Sequence, residues 1–195
     1  MIFSITRILL FSLLFVSMLV GDYSTLIPKS EPFFDYKKNK MYISSIVEDS
    51  PVVVGILDEK CWENFDDPDN SQIIKDFIQD EPNNQDKPSE DTYVKVVYDK
   101  ENIFVAAILF DNKPDSIQTR LSKRDDWDSS FSDLSDWFSI EIDSRHDHQT
   151  GYIFAVNASG IQLDAMTYND SDYDLEYNAI WESAVSINED GWIVE

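Results

Sequence analysis

The stretch that decides the fold is Thr92-Tyr-Val-Lys-Val-Val-Tyr98, then Asp99-Lys-Glu-Asn102, then Ile103-Phe-Val-Ala-Ala-Ile-Leu-Phe110. Two runs of β-branched and aromatic residues flank four polar residues that carry turn chemistry, so the stretch predicts an antiparallel hairpin. Ile103 to Phe110 is apolar at odd and even positions alike. A strand of that kind belongs in the middle of a sheet covered on both faces.

Working outward, similar short runs recur at Val52 to Leu57, Trp137 to Ile142, Tyr152 to Val156, Ile161 to Tyr168 and Ile180 to Ile187, with a further strand starting at Gly191. Phe138, Ile140 and Ile142 alternate with Ser139, Glu141 and Asp143, the pattern of a half-exposed strand. Asn157 to Gly160 supplies a second hairpin turn. No convincing helix period occurs, although Ser71 to Gln79, with Ile73, Ile74, Phe77 and Ile78, predicts one or two helical turns capping an open end. The expected fold is all-β: two packed antiparallel sheets, a sandwich or jelly roll.

The N-terminus reads as an address. Arg7 precedes the apolar run Ile8 to Val20, which is followed by the polar Gly21, Asp22, Tyr23 and Ser24. That is the layout of a secretory signal peptide over residues 1–21, and it predicts export to the periplasm, the outer membrane or the outside of the cell. An uncleaved membrane anchor is the competing reading, because the small-residue cleavage signal around Leu19 to Gly21 is weak. Residues 22–49, with Pro28, Pro32 and the basic Lys37, Lys38 and Lys40, read as a linker, which leaves 50–195 as the domain.

Composition narrows the function. The chain has 38 Asp and Glu against 15 Lys and Arg, a formal charge of -23 spread along its length. Such a surface repels phosphate backbones, which argues against nucleic acid, and suits neutral ligands or divalent cations; solubility in a salty environment is the plain alternative. The aromatic content of 13% argues that the chain folds despite its acidity. Cys61 is the single cysteine, so no internal disulfide forms, and beside Trp62 it reads as a small buried hydrophobe. No nucleophile motif, phosphate-cradling glycine loop or zinc signature is present. With 38 acids some pair meets any glycosidase spacing, so abundance is no evidence of catalysis, and the expected domain is not an enzyme. His146 and His148, one residue apart, read as part of a solvated turn rather than a transition-metal site.

The order of motifs carries a resemblance. Gly55-Ile-Leu-Asp-Glu59 leads to Trp62, then Asp76-Phe-Ile-Gln-Asp-Glu-Pro82 and the hairpin above. Arg124-Asp125, Asp136 to Asp143, Tyr152-Ile-Phe-Ala-Val-Asn157 with Gly160, Trp181 and Gly191-Trp-Ile-Val-Glu195 follow. Over residues 50–195 this resembles the family 9-like carbohydrate-binding module, in the form found at the N-terminus of bacterial envelope proteins that continue into a membrane-type β-barrel. The resemblance implies a β-sandwich that binds an oligosaccharide or polysaccharide, a structural Ca2+, and covalent continuation into an outer-membrane β-barrel. Relatives run on past the Gly-Trp-x-x-Glu strand into an Ile-Pro segment, so it also implies that C-terminal strands of the sandwich are missing here. Envelope relatives do not obviously keep the paired aromatic clamp of the sugar-binding modules, so the ligand stays open; a docking domain without sugar affinity is the alternative.

Sugar recognition in water needs an aromatic face for the C–H side of the ring and planar polar groups for its hydroxyls. Trp127, Trp181, Trp137 and Tyr173 are candidates for the face, and Arg124, Asp125, Gln162 and Asn178 for the polar contacts. The expected ligand set is Arg124, Asp125, Trp127, Gln162 and Trp181, with Arg124–Asp125 equally readable as an internal ion pair and Trp127 as packing. Trp62, Trp137 and Trp192 read as core. For a calcium ion, which takes oxygen ligands, the candidates are Asp136, Asp143 and Asp164 in acid-dense stretches that otherwise read as solvated loops. Asn169-Asp-Ser-Asp-Tyr-Asp174 lacks the glycine and final Glu of an EF-hand.

Overall fold

The computed structural model describes residues 42, 44–67, 69–80, 82–84, 86–126, 134–169 and 172–195. The expected signal peptide, most of the expected linker and Trp127 lie outside the described residues.

The deciding hairpin forms as read. Strands β2 (Thr92–Tyr98) and β3 (Ile103–Phe110) pair antiparallel in unbroken register from Thr92 opposite Leu109 to Tyr98 opposite Ile103. Asp99 locks the turn: its Oδ1 accepts the N–H groups of Glu101 at 2.7 Å and Asn102 at 2.6 Å, and Ser50 donates to its Oδ2 at 2.5 Å. The Ser50 hydroxyl and those two amides pull the Asp99 carboxyl down to about 2.

Around the hairpin stand β1 (Ser45–Ile46), β4 (Trp137–Ile142), β5 (Gly151–Asn157), β6 (Gln162–Tyr168), β7 (Asp172–Asp174), β8 (Val185–Asn188) and β9 (Gly191–Val194). They form a five-stranded sheet in the order β1-β2-β3-β9-β8 and a four-stranded sheet in the order β4-β5-β6-β7. All pairings are antiparallel except β1 with β2. The chain is thus all-β, two mostly antiparallel sheets consistent with a sandwich.

β3 is the central strand, and its alternation builds two cores. Its odd positions, with Val94 and Val96 of β2, Trp192 and Val194 of β9, and Phe138 and Val156 of the other sheet, form the core between the sheets. On the opposite face Ala106 and Val97 pack under Trp62, Phe65 and Ile73. The segment around Trp62 therefore covers the outer side, which explains why β3 is apolar throughout.

Several expectations need correction. Val52 to Leu57 is not a strand: Gly55 has φ +75°, and the amides of Val52, Val54 and Gly55 bond side-chain carboxylates instead of a ladder. Ser71 to Gln79 is not helical; Ile74 exchanges both backbone bonds with Val94 in an isolated bridge, and Asp76 sits at φ +57°. Of the expected Ile180 to Ile187 strand only the second half pairs, from Ala184 opposite Glu195 onward into β8. Part of the linker is ordered, since Ser45–Ile46 joins the sheet and the Ser44 hydroxyl bonds the Val96 carbonyl at 3.0 Å. β7 falls in a stretch read as an acidic loop.

Glu195 clasps the outer layer to the sheet. Its buried carboxylate accepts the N–H groups of Val54 at 3.0 Å and Gly55 at 2.7 Å and the Trp62 indole at 3.2 Å, while its backbone exchanges bonds with Ala184. Gly191, which opens β9, has φ +142°, and a Cβ there would overlap the Leu109 carbonyl oxygen and come within 2.9 Å of the Asp111 nitrogen. Gly191→Ala is therefore expected to lower stability by at least about 2 kcal/mol, read as a shift in the urea midpoint at unchanged slope.

Candidate functional site

Asp164 lies on β6, opposite Phe154 of β5, and is fully buried. A carboxylate in that position must be matched by donors, and both of its oxygens are. Arg124 Nη2 and the Trp181 indole Nε1, the latter at 3.1 Å, donate to Oδ1, while the Ala179 amide donates to Oδ2 at 2.6 Å. Asp164 thus gathers three separated pieces of chain: β6, the segment at Arg124, and the segment between β7 and β8.

The neighbours extend the network. Arg124 also donates from Nε to Asp125 Oδ2 at 3.2 Å, from Nη1 to Gln162 Oε1, and from Nη2 to the Ala179 carbonyl at 3.3 Å. Asp125, at φ +59°, takes over from β7 as the partner of β6: its amide donates to the Gln162 carbonyl at 3.1 Å, and its Oδ1 accepts the Asp164 amide at 3.1 Å. Gln162 Nε2 donates to Ser183 Oγ at 3.0 Å and to the Trp181 carbonyl at 3.4 Å. The Trp181 ring meets Phe154 edge to face at 5.4 Å between centroids. The Arg124 side chain remains 38% exposed above the buried Asp164, and Trp181 is half-buried.

Four of the five expected ligand residues, Arg124, Asp125, Gln162 and Trp181, therefore meet in one network. The fifth, Trp127, lies outside the described residues. Tyr173 is exposed on β7, opposite Thr167, and Trp137 packs beside Ala155 and Leu163 on the other face of the four-stranded sheet. Sequence reading missed the Phe154 contact, the Ala179 peptide and the Ser183 hydroxyl. It also placed Asp164 with the metal candidates, although an acid inside the apolar run Ile161 to Tyr168 already signals a buried partner.

The three metal candidates do not converge. Asp164 is committed to Arg124, Trp181 and Ala179. Asp143 organises its own loop, accepting the amides of Arg145 at 3.1 Å, Asp147 at 3.3 Å and His148 at 2.9 Å. Asp136 accepts the Gln118 amide at 2.9 Å where Thr119 bridges Ser135. Among the described residues no three His, Cys, Asp or Glu side chains are grouped to hold a metal, so this trio does not fit a shared calcium centre. His146 and His148 lie with ring centroids 4.7 Å apart.

Two of these acids titrate in opposite senses. Burial pushes the Asp143 carboxyl up, but the amides of His148, Asp147, Arg145 and His146 outweigh it and hold it below the usual range. Its contribution to stability is present above the unfolded value and lost as pH falls through the folded one. Burial raises Asp136, with the Gln118 amide opposing, so its contribution is full below the unfolded value and lost as pH rises through the folded one. Asp143→Asn should therefore lower Tm at neutral pH, with the gap closing in strong acid. Asp136→Asn, which keeps an acceptor for Gln118, should raise Tm at neutral pH and not near about pH 3.

For the network itself, Arg124→Ala is expected to cost about 3–5 kcal/mol by leaving Asp164 buried and unpaired. Arg124→Ala/Asp164→Ala should cost less than the sum of the single changes in a denaturant double-mutant cycle. No protein-family model, curated protein or solved structure matches this chain.

Proposed function

We propose that this chain is an exported, non-catalytic carbohydrate-binding domain, similar to the family 9-like modules and part of a larger cell-envelope protein, with a neutral oligosaccharide or polysaccharide as ligand. The observation that carries the reading is the meeting of Arg124, Gln162 and Trp181 at one partly open corner. A guanidinium, an amide and an indole from three separated segments lie together there, held by a buried carboxylate and still reachable from solvent. Planar polar groups beside an aromatic ring are what a pyranose requires. Arg124 is neutralised by Asp125 and Asp164, so the site carries no net positive charge with which to attract an acidic glycan. A structural calcium, which the resemblance implies, would need ligands other than the Asp136, Asp143 and Asp164 set.

A second reading, a docking domain for an outer-membrane barrel, is favoured by one feature. Val52, Val54 and Ile56 project into solvent from the segment that lies against β8, where Ile187 is exposed as well. The two readings are compatible, since a sugar-binding domain can serve a barrel.

Titration of the purified chain against a glycan array, with and without calcium, separates them. Binding to neutral glycans, weakened at least about tenfold by Trp181→Phe through loss of the indole donor and ring area, supports the first reading. Absence of binding to every glycan, in both conditions, sinks it.

A further inference from the structure

Between the two best-anchored peptides of the site stands a side chain with no cover at all. Ile180 is 106% exposed, while its neighbours on both sides are fixed to the sheet. Ala179 is held through its amide by Asp164 and through its carbonyl by Arg124. Trp181 is held through its indole nitrogen by Asp164, through its carbonyl by Gln162, and through its ring by Phe154. Single exposed apolar residues are ordinary on mobile loops and need no explanation. An isoleucine carried on a backbone clamped by several bonds is different, because its position is already set before any ligand arrives and little ordering entropy remains to be lost on contact.

The geometry points to Ile180 as a second apolar contact of this site besides the Trp181 ring, a fixed ridge against which the C–H side of a pyranose in a neutral glycan lies. This inference rests on the glycan reading above. The flanking chain suits a neutral ligand over an anionic one, since Glu176 and Glu182 are exposed on the same segment. A branched aliphatic ridge fits a ring edge without demanding the planar stacking of an indole, so the contact favours shape over ring identity.

The test uses cellohexaose, xylohexaose and chitin hexamer as probes against the full chain, Ile180→Ser and Val52→Ser, the last a control that is 65% exposed and outside the network. Ile180→Ser should weaken binding by about tenfold while its unfolding midpoint stays that of the parent, because the side chain buries nothing in the free protein. Val52→Ser should change neither. The Ile180 δ-methyl resonance should shift on titration, and that of Ile187 should not. If the parent binds and Ile180→Ser binds equally well with an unmoved methyl signal, the contact is overturned and the glycan reading stands. If the parent binds none of the probes, the inference falls together with the reading it rests on.

Discussion

A carboxylate sealed from water is tolerable only when both of its oxygens find donors, and Asp164 meets that demand by drawing in groups from across the chain. Satisfying it fixes the position of Arg124, and through Arg124 the edge partner Asp125. It also fixes the path between β7 and β8 and the tilt of Trp181 against Phe154. The remaining contacts of these two residues, from Gln162 and Phe154 to Trp181 and from Arg124 to the Ala179 carbonyl, close around the same carboxylate. The arrangement of Arg124, Gln162 and Trp181 at this corner is thus a by-product of neutralising one buried charge, and its rigidity follows from the same cause.

Glu195 uses the same device beneath the outer layer of the five-stranded sheet. Its carboxylate takes two amides and an indole, and those bonds pull the segment from Val54 to Trp62 over the outer face of the five-stranded sheet. Both acids accept a tryptophan Nε1, so two of the chain's tryptophans are oriented by hydrogen bonds from the ring rim as well as by packing. The sandwich is therefore three layers thick under Trp62, and the polar bonds decide where the extra layer sits.

The legible parts of the sequence were those in which side-chain pattern and backbone pairing agree. β2, β3, β4 and β6 follow from β-branched and aromatic runs, and the turns at Asp99 and Asn157 follow from residues whose side chains bond nearby amides. Val52 to Leu57 is an apolar, β-branched run of the same kind but lacks the pairing, because its amides go to Glu59 and Glu195 and Gly55 breaks the extension. The partner of the Gly55 amide is 140 residues away in sequence, and no local window contains it. Ile180 to Ile187 fails for the same reason, since its first half is claimed by Asp164 and Gln162. Arg124, Asp125, Gln162 and Trp181 were legible as residue types suited to a ligand, whereas their mutual bonding depends on β6 facing inward at Asp164. The calcium trio failed as a set because acid density along a chain says nothing about convergence in space.

The strand order also sets a schedule. β1, β2 and β3 precede the four-stranded sheet in sequence and β8 and β9 follow it, so the whole of that sheet is threaded between two parts of the other. A chain emerging from its N-terminus can complete the sheet of β4 to β7 early, but the larger sheet waits for Gly191–Val194 to slot beside β3. Until then the apolar edge of β3 is open, a hazard that long-range pairing imposes on slowly completed β proteins. For a polypeptide delivered through a membrane pore end first, the domain would cross unfinished and close only on the far side.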